Sequence, residues 1–364
     1  MTRIAVVGGS SYVAQQLVAY CAAHHPDVRL ALFGRTQMKL NMFARSGNVI
    51  GTRQYSFGAG WDESLDGYSA CIDLSYNIEG IPSHAVGLAR HHARELGAAC
   101  AKADLPLVAV GSVAVYGEPT IHYKWRQPPL PRRLKRPNST YARVKAITEE
   151  TYADVSDSSG LRVALMRSGH IMGPGSKMAT NVAARLLSGE PLRLHGEIAA
   201  SNATTVDGLC RSFVRVSKGG LPPGVTVSNH VDLADVTYDQ LIDALAGFMD
   251  VDPVSANAPA RASRGPAAKV AGQIKRHQQY LGLAQSYMPW TENLAQRMRP
   301  RLQSAKSGTG GSPGRLAPPG LASLYASDRI PHTTAVLGSG VSSTDLVQAL
   351  TPVAAWLNVS GFIR

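Results

Sequence analysis

The stretch STYARVKAITEE, residues 139–150, places a tyrosine and a lysine four positions apart in helix-forming sequence. At that spacing the side chains of Tyr141 and Lys145 share one helix face. A lysine ammonium beside a phenol favours the phenolate, so the pair can give or take a proton near neutral pH. The spacing alone is a weak signal in a chain with 13 tyrosines, so the neighbouring stretches must decide its meaning.

Two of those stretches bear on a nucleotide. VVGGSSYVA, residues 6–14, joins a short apolar run to helical sequence, the place where a helix N-terminus meets a pyrophosphate. Gly8 and Gly9 supply the tight turn, and Ser10, Ser11, Tyr12 and Val13 complete the candidate cofactor turn. Ser11 and Ala14 stand where the usual fingerprint has its later glycines. Ala14 is a tolerated replacement, whereas Ser11 is a departure whose hydroxyl can bond a phosphate. At the end of the next strand, in LFGRTQ, Arg35 and Thr36 stand with no carboxylate nearby. An acid there binds a ribose 2′-hydroxyl and an arginine accommodates a 2′-phosphate, which favours NADP, with NAD the alternative. Ser75, ending SACIDLS, is a further candidate cofactor contact.

The elements that must position these residues follow from the hydrophobic pattern. RIAVVGG, VRLALFG, SACIDLS, PLVAVGS and LRVALMR read as buried strands. YVAQQLVAYCAAHH, SHAVGLARHHARELGAACAKA and YARVKAITEETYADV read as the helices between them. Such alternation predicts an α/β fold, a doubly wound parallel sheet covered on both faces. Beyond GHIMGPGS the rhythm loosens, with helices at TTVDGLCRSFVRVS and TYDQLIDALAGFM, a strand at GVTVSNHV, and a closing helix at STDLVQALTPVAAWL. The expected division is a dinucleotide-binding domain over 1–175, to which a strand near 224–231 returns. A mainly substrate-binding part covers 176–364 and includes a basic flexible segment, 251–320.

VAVGSVAVYGEP, residues 108–119, gives the opening pair its context. Ser112 ends a strand, Tyr116-Gly117 follows, and the Tyr-x-x-x-Lys comes further on. RSGHIMGP (167–174), VDG (206–208) and the tail VSSTDLVQALTPVAAWLNVSGFI (341–363) complete an ordered set. Over residues 3–249 and 330–364 the sequence resembles the extended short-chain dehydrogenase/reductase family, in its epimerase/dehydratase branch. The resemblance implies a Rossmann fold with a smaller C-terminal substrate-binding part. It implies that Tyr141 is the catalytic acid/base, that Lys145 bonds the nicotinamide ribose and lowers the tyrosine pKa, and that Ser112 bonds the substrate oxygen. His170 would lie beside the cofactor as a lining residue. It also implies a homodimer through helices near 82–102 and 141–156.

The reaction narrows by what is missing. Val113 and Ala114 stand where the 4,6-dehydratases carry an acidic pair, which disfavours that elimination. The leading expectation is an NADP-dependent oxidoreductase moving hydride at a hydroxyl or keto carbon of a polar small molecule, such as a sugar nucleotide or biosynthetic intermediate. The alternative is a sugar-nucleotide epimerase with tightly bound NAD. A non-catalytic RNA-binding relative stands third, disfavoured by the intact Ser112, Tyr141 and Lys145, so nucleic acid is not the expected partner.

Composition agrees. The 364 residues are 44% hydrophobic and 17% charged, as in a globular enzyme, and no apolar run reaches membrane-spanning length. Four scattered cysteines without metal-ligand spacing, and no signal-like leader, point to a cytoplasmic protein. The net charge of +12 suits an anionic partner. Two places concentrate it. Lys124 and Arg126 belong to a basic stretch, IHYKWRQPPLPRRLKRPNS, that suits a phosphate-bearing substrate, with Tyr116 and Ser112 also expected to contact substrate. The run from Arg261 to Arg315, with Glu292 its one acid, suits an acidic carrier protein or a membrane surface, or else a solvated insertion. Arg167 reads as either a structural ion-pair partner or a cofactor contact. The pairs His24-His25 and His91-His92 read as helical and solvent-facing, with no third ligand for a metal.

Overall fold

A computed structural model describes residues 1–57, 61, 64–76, 82–116, 130–133, 137, 139–189, 193–194, 201–233, 236–253, 255–256 and 346–360. The chain runs β1 (Thr2–Val7), α1 (Tyr12–His24), β2 (Val28–Gly34), α2 (Gln37–Asn41), β3 (Val49–Gln54), β4 (Ala70–Asp73), α3 (Pro82–Lys102), β5 (Leu107–Ser112), α4 (Thr140–Ser159), β6 (Val163–Ser168) and β7 (His170–Met172). It continues with α5 (Lys177–Ser188), β8 (Arg193–Leu194), β9 (Ala203–Thr205), α6 (Val206–Gly219), β10 (Val225–His230), α7 (Tyr238–Met249), β11 (Ser255–Ala256) and α8 (Leu346–Val359).

Seven strands form one sheet in the order β3-β2-β1-β4-β5-β6-β10, and every pairing is parallel. The expected doubly wound α/β fold is therefore present, with β10 as the seventh strand beside β6. A sheet covered on both sides needs strands that are apolar on both faces. β1 meets that need residue by residue. Ile4 and Val6 pack with Leu17 of α1 and Phe213 of α6, while Ala5 and Val7 pack with Leu96 of α3 and Tyr152 of α4. Burying each large apolar side chain of this kind contributes about 1.5–3 kcal/mol.

A third cluster lies apart from the sheet. Leu186 of α5, Leu241 and Leu245 of α7, and Leu350, Val353 and Leu357 of α8 close around Met172. The tail helix thus returns to the segment just past β6, and Trp356 lies 3.5 Å from where a Cβ on Gly175 would sit. Among the elements that the sequence pattern did not reveal, two are long enough to matter here, β3 and α5. β3 is a polar edge strand whose residues are half-buried or exposed, so it shows no apolar run. α5 is marked only by its ends, the Ser176 hydroxyl accepting from the Ala179 N–H and Gly189 stopping it in the left-handed region.

Candidate active site

Because all seven strands run parallel, their carboxyl ends share one edge of the sheet. Gly8 follows β1, Arg35 follows β2, Ser75 follows β4, Ser112 ends β5 and His170 lies just past β6. Strand order reverses between β1 and β4, which opens the crevice where such sheets bind ligands. The strand ends touch there. A Cβ on Gly8 would lie 2.8 Å from the Leu74 carbonyl carbon and 2.8 Å from the Ser75 nitrogen, and its φ of +81° is one that only glycine adopts freely. Gly9 approaches β2 as closely, 2.8 Å from the Leu32 Cβ, and its N–H donates to the Phe33 carbonyl at 2.7 Å.

α4 begins just before Tyr141 because the Ser139 hydroxyl accepts from the Ala142 N–H at 3.1 Å. That start puts Tyr141 in the first turn, at the end of β5, where its phenol is within the influence of the Ser112 hydroxyl. Burial pushes the Tyr141 phenol above its ordinary pKa and the Ser112 hydroxyl works the other way, leaving it protonated at neutral pH. Ser112 is held in turn, its oxygen accepting from the Ala114 N–H at 3.2 Å. One helical turn on, Lys145 is buried and its Nζ donates to the Val110 carbonyl at 2.7 Å. Burial pushes the Lys145 ammonium down from its ordinary value, while Asp73 and Glu149 oppose the shift. The three expected catalytic residues are therefore gathered at one strand end.

Behind them lies a charged interior that the sequence reading largely missed. Glu149, one more turn along the same α4 face, accepts from Arg167 Nε at 3.0 Å and Nη2 at 2.8 Å. Both side chains are buried, so Arg167 is the ion-pair partner of the two roles left open. Its Nη1 donates to the Tyr116 hydroxyl at 3.1 Å, and that hydroxyl donates to Asn229 Oδ1 at 2.6 Å. Tyr116, expected to contact substrate, is thus buried with its phenol committed inward. Gly111 is glycine because a Cβ there would meet Glu149 Oε1 at 2.3 Å.

The second interior group centres on Asp73. Its carboxylate accepts from the Tyr152 hydroxyl at 2.7 Å and from the Ser75 N–H at 2.9 Å, and the Ser75 hydroxyl lies 2.9 Å from His92 Nε2. The expectation that His91-His92 faces solvent fails for His92. It is buried against Asp73 and stacked on Phe57 with ring centroids 4.3 Å apart. The α3 face carrying it turns onto the sheet, which no pattern of two adjacent histidines reveals. His25, likewise read as helical, is the residue that ends α1. Among the described residues no group of His, Cys, Asp or Glu could hold a metal.

The candidate cofactor residues distribute as follows. The Ser11 hydroxyl caps α1, accepting from the Ala14 N–H at 3.3 Å, so the amides of Tyr12 and Val13 in the first turn are those an anion would meet. The Tyr12 side chain instead packs inward, and a Cβ on Gly173 would lie 2.6 Å from its hydroxyl. Ser10 lies against Gly34, its Oγ 3.4 Å from where a Cβ there would sit. Arg35 and Thr36 are exposed at the end of β2, while the Ser75 side chain points into the Asp73 group. His170 donates its N–H to the Asn202 carbonyl at 3.1 Å, and burial pushes its imidazole down to about 4. It is neutral at pH 7, as a lining residue would be. Lys124, Arg126 and the basic run from Arg261 to Arg315 lie outside the described residues.

Residues 85–210 match the model of the NAD dependent epimerase/dehydratase family. The family resemblance read from the sequence is borne out. Comparison with curated proteins gives no match. Among solved structures, the chain is similar to the NAD-dependent NDP-hexosamine 5,6-dehydratase TunA of tunicamycin biosynthesis, at 16% identity and TM-score 0.60, covering 99% of this chain and 98% of that one. It is similar to a dTDP-glucose 4,6-dehydratase from Bacillus anthracis, solved with NAD, at 17% identity and TM-score 0.56, over 72% of this chain and 86% of that one. A UDP-glucuronic acid 4-epimerase from Bacillus cereus, solved with UDP-glucuronic acid and NAD, gives 16% identity and TM-score 0.55, over 70% and 86%. At such identities the likeness is one of fold. No helix among the described residues is long and apolar enough to cross a membrane.

Proposed function

We propose that this protein is a nicotinamide-dinucleotide-dependent oxidoreductase of the extended short-chain dehydrogenase/reductase type, acting at a hydroxyl or keto carbon of a polar small molecule such as a sugar nucleotide. The observation that carries the proposal is the gathering of Ser112 and Tyr141 at the end of β5, with Lys145 buried one turn beyond and bonded to the Val110 carbonyl of the same strand. The close-packed Gly8–Gly9 turn and the start of α1 fit the dinucleotide pyrophosphate, and Lys145 would hold the nicotinamide ribose. When bound, that group supplies or accepts the hydride.

The chain's own residues manage the proton. Ser112 hydrogen-bonds the substrate oxygen and keeps it against Tyr141. In reduction the Tyr141 hydroxyl donates its proton to the oxygen of the forming alcohol, and in oxidation the phenolate takes it back. A phenol with a raised pKa holds the proton that the reductive step takes up. Arg35, with no acid between Val28 and Asn41, supports a 2′-phosphate and hence NADP. A homodimer through α3 and α4 is part of the same reading.

Denaturing release and mass spectrometry of the co-purifying nucleotide, followed by titration with NADPH and NADH, tests it. An empty site that binds NADPH more tightly, with Tyr141→Phe retaining binding but losing about 100-fold or more in turnover, is the expected result. Near-stoichiometric retained NAD would instead favour a sugar-nucleotide epimerase, and binding of neither dinucleotide would sink the proposal.

A further inference from the structure

Tyr76, three residues past the end of β4, is absent from the reading above, yet it touches both members of the catalytic pair. The Lys145 ammonium sits over its ring, 5.3 Å from the centroid. Its ring meets the Tyr141 ring nearly edge-on, at 84° with centroids 5.8 Å apart. Tyr76 is also 47% exposed, although it packs on buried Lys145 and half-buried Tyr141. An interior filler would be enclosed. A surface residue would not lie across a lysine and a tyrosine that are drawn from another element. Tyr76 instead has one side on the pair and nearly half of its surface open.

We propose that Tyr76 is a positioning residue of the Tyr141–Lys145 pair, its ring holding the lysine ammonium by a cation–π contact and fixing the tyrosine ring edge-on. The inference rests on the roles given to Tyr141 and Lys145 above. Its physical content is a balance of charges. Lys145 is faced by Asp73 from β4, Glu149 from α4 and the Tyr76 ring, and Tyr141 by Ser112 from β5 and by Tyr76. Burial disfavours the Lys145 charge, and an aromatic face in a desolvated place restores part of what burial removes. A charged Lys145 in turn favours the Tyr141 phenolate. Removing the ring therefore makes Tyr141 harder to ionise. A ring that merely excluded water would have the opposite signature, because admitting water eases ionisation.

The test is an ultraviolet titration of tyrosine ionisation in the ligand-free full chain. Subtracting the Tyr141→Phe curve isolates Tyr141, and the subtraction is repeated in Tyr76→Leu and Tyr76→Phe backgrounds. The expected result is a Tyr141 midpoint raised by roughly half to one pH unit with leucine, and unchanged with phenylalanine, which keeps the ring. An unchanged or lowered midpoint with leucine overturns the proposal, as does a phenylalanine variant that shifts as far. Because Tyr76 is half exposed, both variants can be checked for wild-type melting first. NADPH binding, followed by fluorescence in the same proteins, separates the two readings. Intact binding with no midpoint shift removes Tyr76 alone. A wild-type protein that binds no dinucleotide removes the oxidoreductase reading, and the titration still decides whether Tyr76 holds the pair.

Discussion

Asp73→Asn should delete an acid limb from the stability profile. Asp73 is only 3% exposed, and its oxygens take the Tyr152 hydroxyl, the Ser75 N–H and the Ser75 hydroxyl, with His92 Nε2 3.8 Å away. Burial alone would raise its pKa, but His92, Ser75 and Tyr152 together outweigh burial and hold the carboxyl at about 2, against an ordinary 3.8. A depression of nearly two units corresponds to about 2 kcal/mol of stability from the ionised form. The folded value lies below the unfolded one. The contribution is therefore complete above about pH 5 and is lost as pH falls from about 4 through about 2.

Urea unfolding of wild type and variant at matched pH values measures this directly, because other carboxylates cancel in the difference. The gap between the two proteins should be widest near neutrality. It should shrink by roughly 1 kcal/mol on reaching about pH 3, and by most of the remainder near pH 2. A gap that stays constant over that range would refute the reasoning, since Asp73 would then titrate alike in the folded and unfolded chains.

Three other expectations concern the same region. Glu149→Gln leaves the Arg167 guanidinium buried without its counter-charge and should cost about 3 kcal/mol or more, whereas Glu149→Leu with Arg167→Met should cost much less, both read from denaturation midpoints. Gly8→Ala forces a side chain into a left-handed backbone against Leu74 and Ser75 and should cost on the order of 2 kcal/mol. Gly224→Ala, with a φ of +85° but nothing within 4 Å, is its control, and equal melting losses for the two would show that the clash is unimportant. If Arg35 reads a 2′-phosphate, Arg35→Ala should weaken NADPH binding about tenfold and spare NADH, which paired titrations will check.

How much of this was legible depends on how local each signal is. β1, β2, β4, β5 and β6 announce themselves because a strand buried on both faces must be a continuous apolar run. β3, an edge strand with Arg53 and Gln54 exposed, carries no such run. Tyr141 and Lys145 were legible from their four-residue spacing, and the same spacing continues to Glu149. The interior role of Glu149 was not, because a carboxylate on a helix face reads as solvated until its partner is known. That partner, Arg167, comes from β6. The same holds for His92, whose neighbours Ser75, Asp73 and Phe57 come from other elements.

By itself the sequence determined what depends on near neighbours: the strands and helices, the glycine turn after β1, the capped start of α4, and the face shared by Tyr141 and Lys145. Periodicity and backbone stereochemistry act over a few residues, and so they can be read from one strand of text. Only the tertiary structure decided which charges are inside. It turned Tyr116 inward onto Arg167 and Asn229, enclosed Asp73 with His92 and Tyr152, and laid Tyr76 across the pair. Each of those outcomes joins residues far apart in the chain. The cost of burying a charge is met only by a partner that folding brings from elsewhere.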